Sequence, residues 1–349
     1  MSQSLRDRVE RHRAIAPLEV EWEELAERLG ASPFGRAGWF ACWLDAFGSD
    51  GLEVVAVRRG NRLAGVLPVL SGHGAIRSAS NWHTPSFAPL AEDAAAELSL
   101  YRPLLATARR RVDLCFLPPA SAALLKEAAG GRRVASRAVM SSPYVAIERD
   151  WDEYWRGLSR NHRSNVSRRP RRLTERGEVA IEVFEGGEGL PALLEESFRI
   201  EASGWKGERG TAVICSPRTR RFYEEVAAWA SRLGMLRLAT LRLDGRLIAF
   251  NLGLEAEGRH YLLKLGHDAA LDPLSPGTVL TAAMIKRAFA LGLKSYEFLG
   301  GRDPYKLRWA QGCREAIEVK VFADSPLGAL DRIVQTHGRA AARKVVARR

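Results

Sequence analysis

Alternating apolar and polar positions predict a β-hairpin in each half of the chain. The segments are Leu52–Val69 and Leu236–Gly253, and the turn inside each contains Gly-Asn or Asp-Gly followed by Arg. Such turns favour tight hairpins because their residues tolerate positive φ. A later apolar strand follows in each half, at Val112–Pro118 and Ser295–Gly300. The repeat predicts two copies of one α/β domain.

The second half is expected to contain one further strand, Arg259–Leu265, that the first half lacks. A Ser-Pro-Gly turn then precedes the apolar helical run Val279–Leu291. A helix that begins at such a turn has backbone N–H groups without partners, and its dipole adds positive potential. The turn therefore suits a phosphate or pyrophosphate. The matching region of the first half, Ala79–Leu90, reads as a loop, so we expect the cofactor in the second half.

Between the halves, residues 150–177 are predicted to form a basic helical connector. Asp150 suits the N-cap, apolar residues follow at helical spacing, and an arginine-rich run extends from Arg160 to Arg176. Pro170 is expected to kink or end this helix. The run is either a phosphate-contacting helix or a solvated basic face. The expected domains are residues 1–149 (structural or acceptor-binding), the connector 150–177, residues 178–325 (cofactor-binding and catalytic), and a terminal helix or tail at 326–349.

Composition narrows the class of partner. The 349 residues include 53 Lys and Arg against 41 Asp and Glu, a formal net charge of +12, so the surface attracts anions. The four cysteines are far apart and show neither metal-ligand nor disulfide spacing. No apolar leader segment and no run of 18 apolar residues occurs. We therefore expect a soluble cytoplasmic protein that needs no metal.

The order of hairpin, strand, anion-binding turn, helix and strand resembles that of the GCN5-related N-acetyltransferases (GNAT). Its duplication around a basic helix resembles the Fem-type peptidyltransferases. It is most similar to their relatives of the cellulose and exopolysaccharide biosynthesis type, the CelD/BcsL-like group. The segments that carry the resemblance are Leu158–Asn165, Glu201–Gly207, Gly210–Ala212, Ser275–Gly277 and Tyr296–Trp309. It implies an α/β (α+β) fold of tandem GNAT-like domains, each a mixed, mainly antiparallel sheet flanked by helices.

The resemblance also implies an acyl-CoA donor, acetyl-CoA in the simplest case. The residues expected to bind it are Leu265, Ser275, Gly277, Thr278 and Val279, the last three through their N–H groups. Gly277 is the single glycine of a turn that has more glycines in most GNAT proteins. The acceptor is expected to be an amine or hydroxyl on a sugar, sugar nucleotide or sugar lipid of a cell-surface polysaccharide. Peripheral contact of the protein with a membrane is compatible with this expectation.

Acyl transfer needs a base for the acceptor proton and a donor for the thioester oxyanion or leaving thiolate. The loop after Gly300-Gly301 offers Asp303 as the base, Tyr305 as the acid, and Lys306 as a phosphate or oxyanion contact. In the alternative interpretation, Asp303 begins an ordinary turn, and Tyr305 and Trp309 belong to the core.

Glu201, at the end of an apolar helix, is a second candidate base. It is equally consistent with a surface ion pair to Lys206. The residues predicted to contact substrate are Trp205, Lys206, His83, His267 and Trp309. His267 and Asp268 are neighbours on a strand, so their side chains point to opposite faces and adjacency alone does not make them a dyad.

Two other functions stay open. The first is aminoacyl-tRNA-dependent peptidyl transfer, in which the basic helix binds tRNA and binding weakens steeply with salt; only this alternative involves nucleic acid. The second is a non-catalytic scaffold that binds a glycan or a protein partner. The intact turn and the Asp303–Lys306 loop favour catalysis, while the single glycine is consistent with the scaffold.

Overall fold

The described chain returns to its starting unit, because residues 315–335 belong to the same structural unit as residues 7–44. The structure is a computed structural model that describes residues 7–335, except for the side chains of Trp205 and Lys206. Within the described residues, the first unit comprises residues 7–44, 48–140 and 315–335, and the second comprises residues 45–47 and 141–314. The predicted terminal helix or tail beyond residue 335 lies outside the described residues.

The strands are β1 Asp7–His12, β2 Leu52–Arg59, β3 Arg62–Gly72, β4 Ala75–Ser78, β5 Leu90–Ala91, β6 Arg111–Leu117, β7 Val134–Ala146, β8 Val179–Phe184, β9 Leu236–Leu243, β10 Arg246–Ala256, β11 Arg259–His267, β12 Ser295–Glu297 and β13 Gly312–Phe322. The helices are α1 Glu19–Arg28, α2 Ala37–Phe47, α3 Ala94–Thr107, α4 Pro119–Ala129, α5 Trp151–Gly157, α6 Arg160–Thr174, α7 Leu190–Ala202, α8 Trp205–Glu208, α9 Pro217–Arg232, α10 Pro276–Ala290 and α11 Pro304–Leu307. Residues 326–335 are also helical. No helix within residues 7–335 is long and apolar enough to cross a lipid bilayer.

Both units follow the same path through their sheets. In the first unit, β2, β3 and β4 are antiparallel neighbours, α3 follows, and β6 pairs parallel with β4. In the second unit, β9, β10 and β11 are antiparallel neighbours, α10 follows, and β12 pairs parallel with β11. The prediction of two α/β copies with mixed, mainly antiparallel sheets is confirmed.

Left-handed backbone occurs at matching positions in the two units. The β3–β4 turn at residues 73–74 has φ of 50° and 77°, and the β10–β11 turn at residues 257–258 has φ of 53° and 73°. Phe116 in β6 and Leu299 after β12 also match, with φ of 65° and 53°. Because non-glycine residues rarely adopt this conformation, the shared positions are specific evidence for duplication.

The strand predicted to be unique to the second half has a counterpart in the first. The strand β4 pairs parallel with β6 over Ala75–Arg77, as β11 pairs with β12 over Arg259–Tyr261. The prediction was wrong because β4 has only four residues, too few to show an alternating pattern.

The basic segment lies inside the second unit as α5 and α6. Pro170 does not end α6, which continues to Thr174. Val166 and Leu173 are buried on either side of it, so core packing compensates for the hydrogen bond that proline cannot donate. At the other end of the predicted C-terminal domain, residues 317–322 of β13 pair with β6 and so belong to the first unit.

A buried ion cluster joins four elements of the second unit, which are β9, β10, β11 and α10. Glu255 on β10 accepts a hydrogen bond from Nδ1 of His260 on β11 at 3.1 Å, another from Nε of Arg237 at 2.7 Å, and a third from Arg287 of α10. Burial alone raises the pKa of Glu255, but the bonds from His260 and Arg287 outweigh burial and hold that pKa at about 2. The cluster therefore fixes α10 to the sheet with an ionised carboxylate.

We expect Glu255→Gln to lower the free energy of unfolding by about 3 kcal/mol, because losing one member of a buried ion cluster leaves its partners uncompensated. The pKa of Glu255 is lowered from its ordinary 4.5 to about 2, so its contribution is complete above the higher value and is lost as pH falls through the lower one. Urea denaturation across this pH range should show that the free energy of unfolding falls less with acid in Glu255→Gln than in the wild type. Glu257→Gln, at the exposed turn two residues on, is the control. An identical pH dependence in both variants would contradict the assignment.

Candidate functional site

Two parallel strands of the second unit separate at their C-terminal ends. The strands β11 and β12 pair only over Arg259–Tyr261 and Ser295–Glu297, while β11 continues beside β10 as far as His267. Beyond β12 the chain turns away through Leu299 and Gly300, with φ of 53° and 62°. Residues 262–267 therefore border an opening in which no β12 residue pairs with them. Ligands of α/β sheets bind in such crevices at the carboxyl ends of strands.

A β-bulge sets which side chains of β11 face α10. The register of β10 against β11 shifts opposite Leu263, and bulges of this kind re-aim side chains beside functional sites. Beyond the bulge, Leu265 packs against the core beneath α10. The ring of His267 lies beside Gly277, where an added Cβ would come 3.2 Å from Nδ1. The predicted donor-binding residues Leu265 and Gly277 thus lie on one face of the opening.

The helix α10 begins at the predicted turn, and its N-terminus has no side-chain cap. Ser275 is the N-cap with φ 52° and ψ 55°, and its hydroxyl donates instead to the carbonyl of Asp272 at 3.1 Å. The N–H groups of Thr278 and Val279 donate to the carbonyl of Ser275 at 3.0 and 3.3 Å. Of the three predicted donors, only the Gly277 N–H has no partner within residues 7–335, because the first turn of the helix is tight.

The corresponding helix of the first unit has a closed N-terminus. Asp93 caps α3 by accepting the N–H of Ala96 at 2.8 Å, and its other oxygen accepts from Arg59 at 2.8 Å. A carboxylate of the chain thus fills the position that favours an anion. Of these two helix N-termini, only that of α10 is open to an external anion.

His267 has a carboxylate partner, although this partner is not its sequence neighbour. Its Nε2 lies 2.6 Å from an oxygen of Asp272. Asp268 instead accepts from the N–H of Ala270 and pairs with Arg246. As expected, adjacency does not make His267 and Asp268 a dyad. The pair with Asp272 depends on the turn at residues 269–274, which no sequence pattern indicated.

A buried carboxylate lies on the other face of the open part of β11. Glu201 of α7 is 3% exposed, and its Oε2 accepts the N–H of Val213 at 2.8 Å. A Cβ at Gly266 would come 2.9 Å from the Cα of Glu201, so α7 approaches β11 closely there. Glu201 is therefore not a surface residue. The side chains of Trp205 and Lys206 lie outside the described residues.

Two further residues, which sequence reasoning missed, lie on this face. Tyr223 of α9 is buried, and burial raises its pKa, with a further rise from the charge of Glu201. The ammonium of Lys264 on β11 lies 4.9 Å from the centre of the Tyr223 ring. Tyr223 reads in the sequence as an ordinary core position. Lys264 had one available signal, which is a charged residue inside an otherwise apolar strand.

Lys306 holds the loop after β12. Its ammonium donates to the carbonyls of Leu299 at 2.9 Å and Gly301 at 3.3 Å and pairs with Asp303 at 2.8 Å. An ammonium has three N–H donors, and these contacts use all of them. Lys306 is buried, so it positions the loop and, contrary to the prediction, does not present its charge to a phosphate.

The two aromatic residues of this loop have different environments. Tyr305 is 39% exposed, and desolvation, followed by the charge of Asp303, raises its pKa, so the phenol keeps its proton. Trp309 is buried, contacts the ring of His162 edge-on at 4.4 Å, and accepts on its carbonyl the hydroxyl of Tyr154 at 2.8 Å. Trp309 is therefore a core residue rather than a substrate contact.

His83 belongs to the first unit, whereas the other candidate residues belong to the second. It lies in the loop between β4 and β5, where its N–H donates to the side chain of Asn81 at 2.9 Å. Among the described residues, no three His, Cys, Asp or Glu side chains are placed to hold a metal ion. The second unit thus combines an open helix N-terminus on one face of β11 with a buried carboxylate on the other.

Residues 160–307 match the family described as "Acetyltransferase (GNAT) domain". The match includes α6, the opening between β11 and β12, the start of α10 and the Lys306 loop. None of the curated proteins matches the chain significantly.

Solved structures share the fold over nearly the whole chain. FemX is 14% identical with a TM-score of 0.61, covering 92% of this chain and 99% of its own. The C-terminal domain of a putative lysylphosphatidylglycerol synthetase from Agrobacterium fabrum is 12% identical with a TM-score of 0.59, covering 92% and 97%. L-PGS from Bacillus licheniformis is 11% identical with a TM-score of 0.59, covering 95% and 97%. Residues 160–307 are thus similar to a GNAT acetyltransferase domain, and the chain shares its fold with FemX and these synthetase structures.

Proposed function

We propose that the second unit transfers an acyl group, acetyl in the simplest case, from acyl-CoA to an amine or hydroxyl acceptor. The observation that carries the proposal is the opening between β11 and β12. One of its faces has the open N-terminus of α10, which suits a phosphorylated donor. Its other face has Glu201, a carboxylate that suits an acceptor proton. The match of residues 160–307 to a GNAT domain supports the same reaction class.

The residues beside α10 fit an acyl-CoA. The Gly277 N–H and the helix dipole suit its pyrophosphate. Asn251 on β10 is opposite Leu265 in register and 1% exposed, and both its amide atoms lack a partner among the described residues. Buried polar atoms are normally paired, and an amide with both functions unused suits the amide groups of the pantetheine arm. The bound donor supplies the acyl group as a thioester.

Glu201 is the proposed base for the acceptor proton, acting directly or through one water. Lys264 and Tyr223 lie near Glu201, and a cation there stabilises negative charge that develops at the reacting carbonyl. Tyr305 keeps its proton and is the proposed donor to the leaving sulfur. Asp303 is the second choice of base, because its carboxylate is already paired with Lys306.

The acceptor is proposed from the sequence resemblance to the CelD/BcsL-like group. It is an amine or hydroxyl on a sugar, sugar nucleotide or sugar lipid that enters a cell-surface polysaccharide. Trp205 and Lys206, which follow Glu201 closely in the chain, are the proposed contacts to it. Because acyl-CoA is made in the cytoplasm, we place the reaction there.

A second candidate is Fem-like transfer from aminoacyl-tRNA. The arginine-rich helix α6 favours it, and the fold shared with FemX is consistent with it. The two donors are distinguishable because tRNA binding weakens steeply as salt rises. If neither donor binds, the non-catalytic scaffold is the remaining function.

We expect Thr278→Asp to weaken CoA binding at least tenfold while leaving the protein as stable as the wild type or slightly more so. An aspartate in the first helical turn interacts favourably with the helix dipole, by about 0.3–1 kcal/mol, but it repels a pyrophosphate. Calorimetric titration with CoA measures the affinity, and thermal denaturation measures the stability. Thr278→Asn is the control, because asparagine has nearly the same shape as aspartate but carries no charge. Unchanged affinity in Thr278→Asp would place the donor elsewhere, and no CoA binding by the wild type at millimolar ligand would end the acyl-CoA proposal.

We expect Glu201→Gln to lower turnover by roughly 10²- to 10⁴-fold, the range for loss of a general base. The amide keeps an oxygen for the Val213 N–H, so folding and CoA affinity should not change. Acetyl-CoA consumption with a panel of amino sugars and hydroxyl sugars measures the rate. Glu208→Gln, an exposed carboxylate seven residues on, is the control. Wild-type turnover in Glu201→Gln would remove Glu201 from the mechanism.

We expect Lys306→Met to lower the free energy of unfolding by about 2–4 kcal/mol, because two carbonyls and Asp303 lose a charged donor. Chemical denaturation measures this loss, and Lys294→Met, at an exposed lysine of the same unit, is the control. A phosphate contact would give the opposite result, in which CoA affinity falls while stability stays at the wild-type value.

A further inference from the structure

Three arginines beside the Lys306 loop have no carboxylate partner among the described residues. They are Arg169 and Arg172 of α6 and Arg308, which follows α11. In contrast, Arg171 of the same helix pairs with Glu175 at 3.1 Å. The pKa of Arg169 is lowered, first by desolvation and then by the charges of Arg308 and Arg172. Arg169 and Arg172 are three residues apart on α6 and so lie on neighbouring positions of its surface. Arg308 precedes Trp309, whose ring contacts His162 of the same helix. We treat the three arginines as one cluster, and an external anion would relieve the repulsion at Arg169.

A buried histidine lies within this cluster. His162 of α6 is 8% exposed, and its Nε2 has no hydrogen-bond partner within residues 7–335. Its ring contacts Trp309, the residue after Arg308, at 4.4 Å. Desolvation lowers the pKa of His162, and the charges of Arg308 and Arg169 lower it further. An unpaired buried nitrogen is unusual in a folded protein, and here it lies among cations that lack an anion.

The cluster belongs to the second unit and is close to the open helix N-terminus. The helix α6 packs against α10 and against the turn at residues 269–274 that leads into Ser275. Arg308 ends the loop that Lys306 holds. A ligand group bound by these arginines therefore lies beside the elements that form the candidate site.

We propose that Arg169, Arg172 and Arg308, together with His162, form a phosphate-binding subsite. The planar guanidinium donates paired hydrogen bonds that match the geometry of a phosphate. The run Arg160–Thr174 contains no Phe, Trp or Tyr on which the bases of a single strand could stack, and we therefore assign the subsite a single phosphate group. That phosphate comes either from the nucleotide end of the donor or from a phosphorylated acceptor. Only this choice of source rests on the proposed function.

The test uses inorganic pyrophosphate as the probe, in the Thr278→Asp background so that the α10 N-terminus does not contribute. Calorimetry gives the affinity, and the NMR signal of the His162 ring, assigned with His162→Gln, reports binding at this position. We expect Arg169→Gln and Arg308→Gln each to weaken binding roughly tenfold or more, the effect of losing a charged hydrogen bond. Arg171→Gln removes the same charge from the same helix and should change the affinity less than twofold.

The subsite is overturned if Arg171→Gln weakens binding as much as Arg169→Gln does, since only net charge would then matter. It is also overturned if the His162 signal does not move on binding, or if Arg169→Gln and Arg308→Gln keep the parental affinity.

Nucleotide ligands then identify the source of the phosphate. If Arg169→Gln weakens binding of CoA but not of dephospho-CoA, the subsite takes the 3′-phosphate of the donor. If it leaves both unchanged and weakens binding of UDP-N-acetylglucosamine, the subsite takes the phosphate of an acceptor. Failure of the acyl-CoA proposal is seen separately, as the absence of CoA binding or as wild-type CoA affinity in Thr278→Asp.

Discussion

The strands β11 and β12 pair through three residues on each strand, and the candidate site depends on the pairing ending there. The chain leaves β12 through left-handed backbone at Leu299 and Gly300, a conformation that costs free energy for a leucine. Lys306 compensates by donating to the carbonyls of Leu299 and Gly301 from a buried position. A charge buried in the loop therefore keeps the two strands apart, which creates the opening and leaves the last residues of β11 without a β12 partner.

The bulge opposite Leu263 gives this opening two chemically different faces. One face has the open end of α10, with Leu265 and His267 beside it. The other face has a buried carboxylate, Glu201, close to Gly266 where no side chain intervenes. A donor and an acceptor can thus approach the same stretch of strand from opposite sides. This separation is what a group transfer between two substrates requires, because the reacting atoms meet while their binding groups stay apart.

The two units show how one architecture is made open or closed to an anion. In each unit a covering helix follows three antiparallel strands. In the first unit the helix is capped by Asp93, which Arg59 also holds. In the second unit the N-cap is Ser275, whose hydroxyl is used elsewhere. The side chain at the N-cap therefore decides whether a carboxylate of the chain caps the helix N-terminus or whether that N-terminus stays open to a ligand.

The sequence by itself determined the hairpins, the duplication and the start of α10, because turn residues and helix caps act on their near neighbours in the chain. It did not reveal β4, which is too short to show a pattern. Only the tertiary structure decided that the N–H groups of Thr278 and Val279 are used within the helix turn and that Lys306 is buried. It also decided that Glu201, Tyr223 and Lys264 lie on one face of β11. These residues are far apart in sequence, and packing of the helices α7 and α9 against the sheet, which no local pattern records, brings them together.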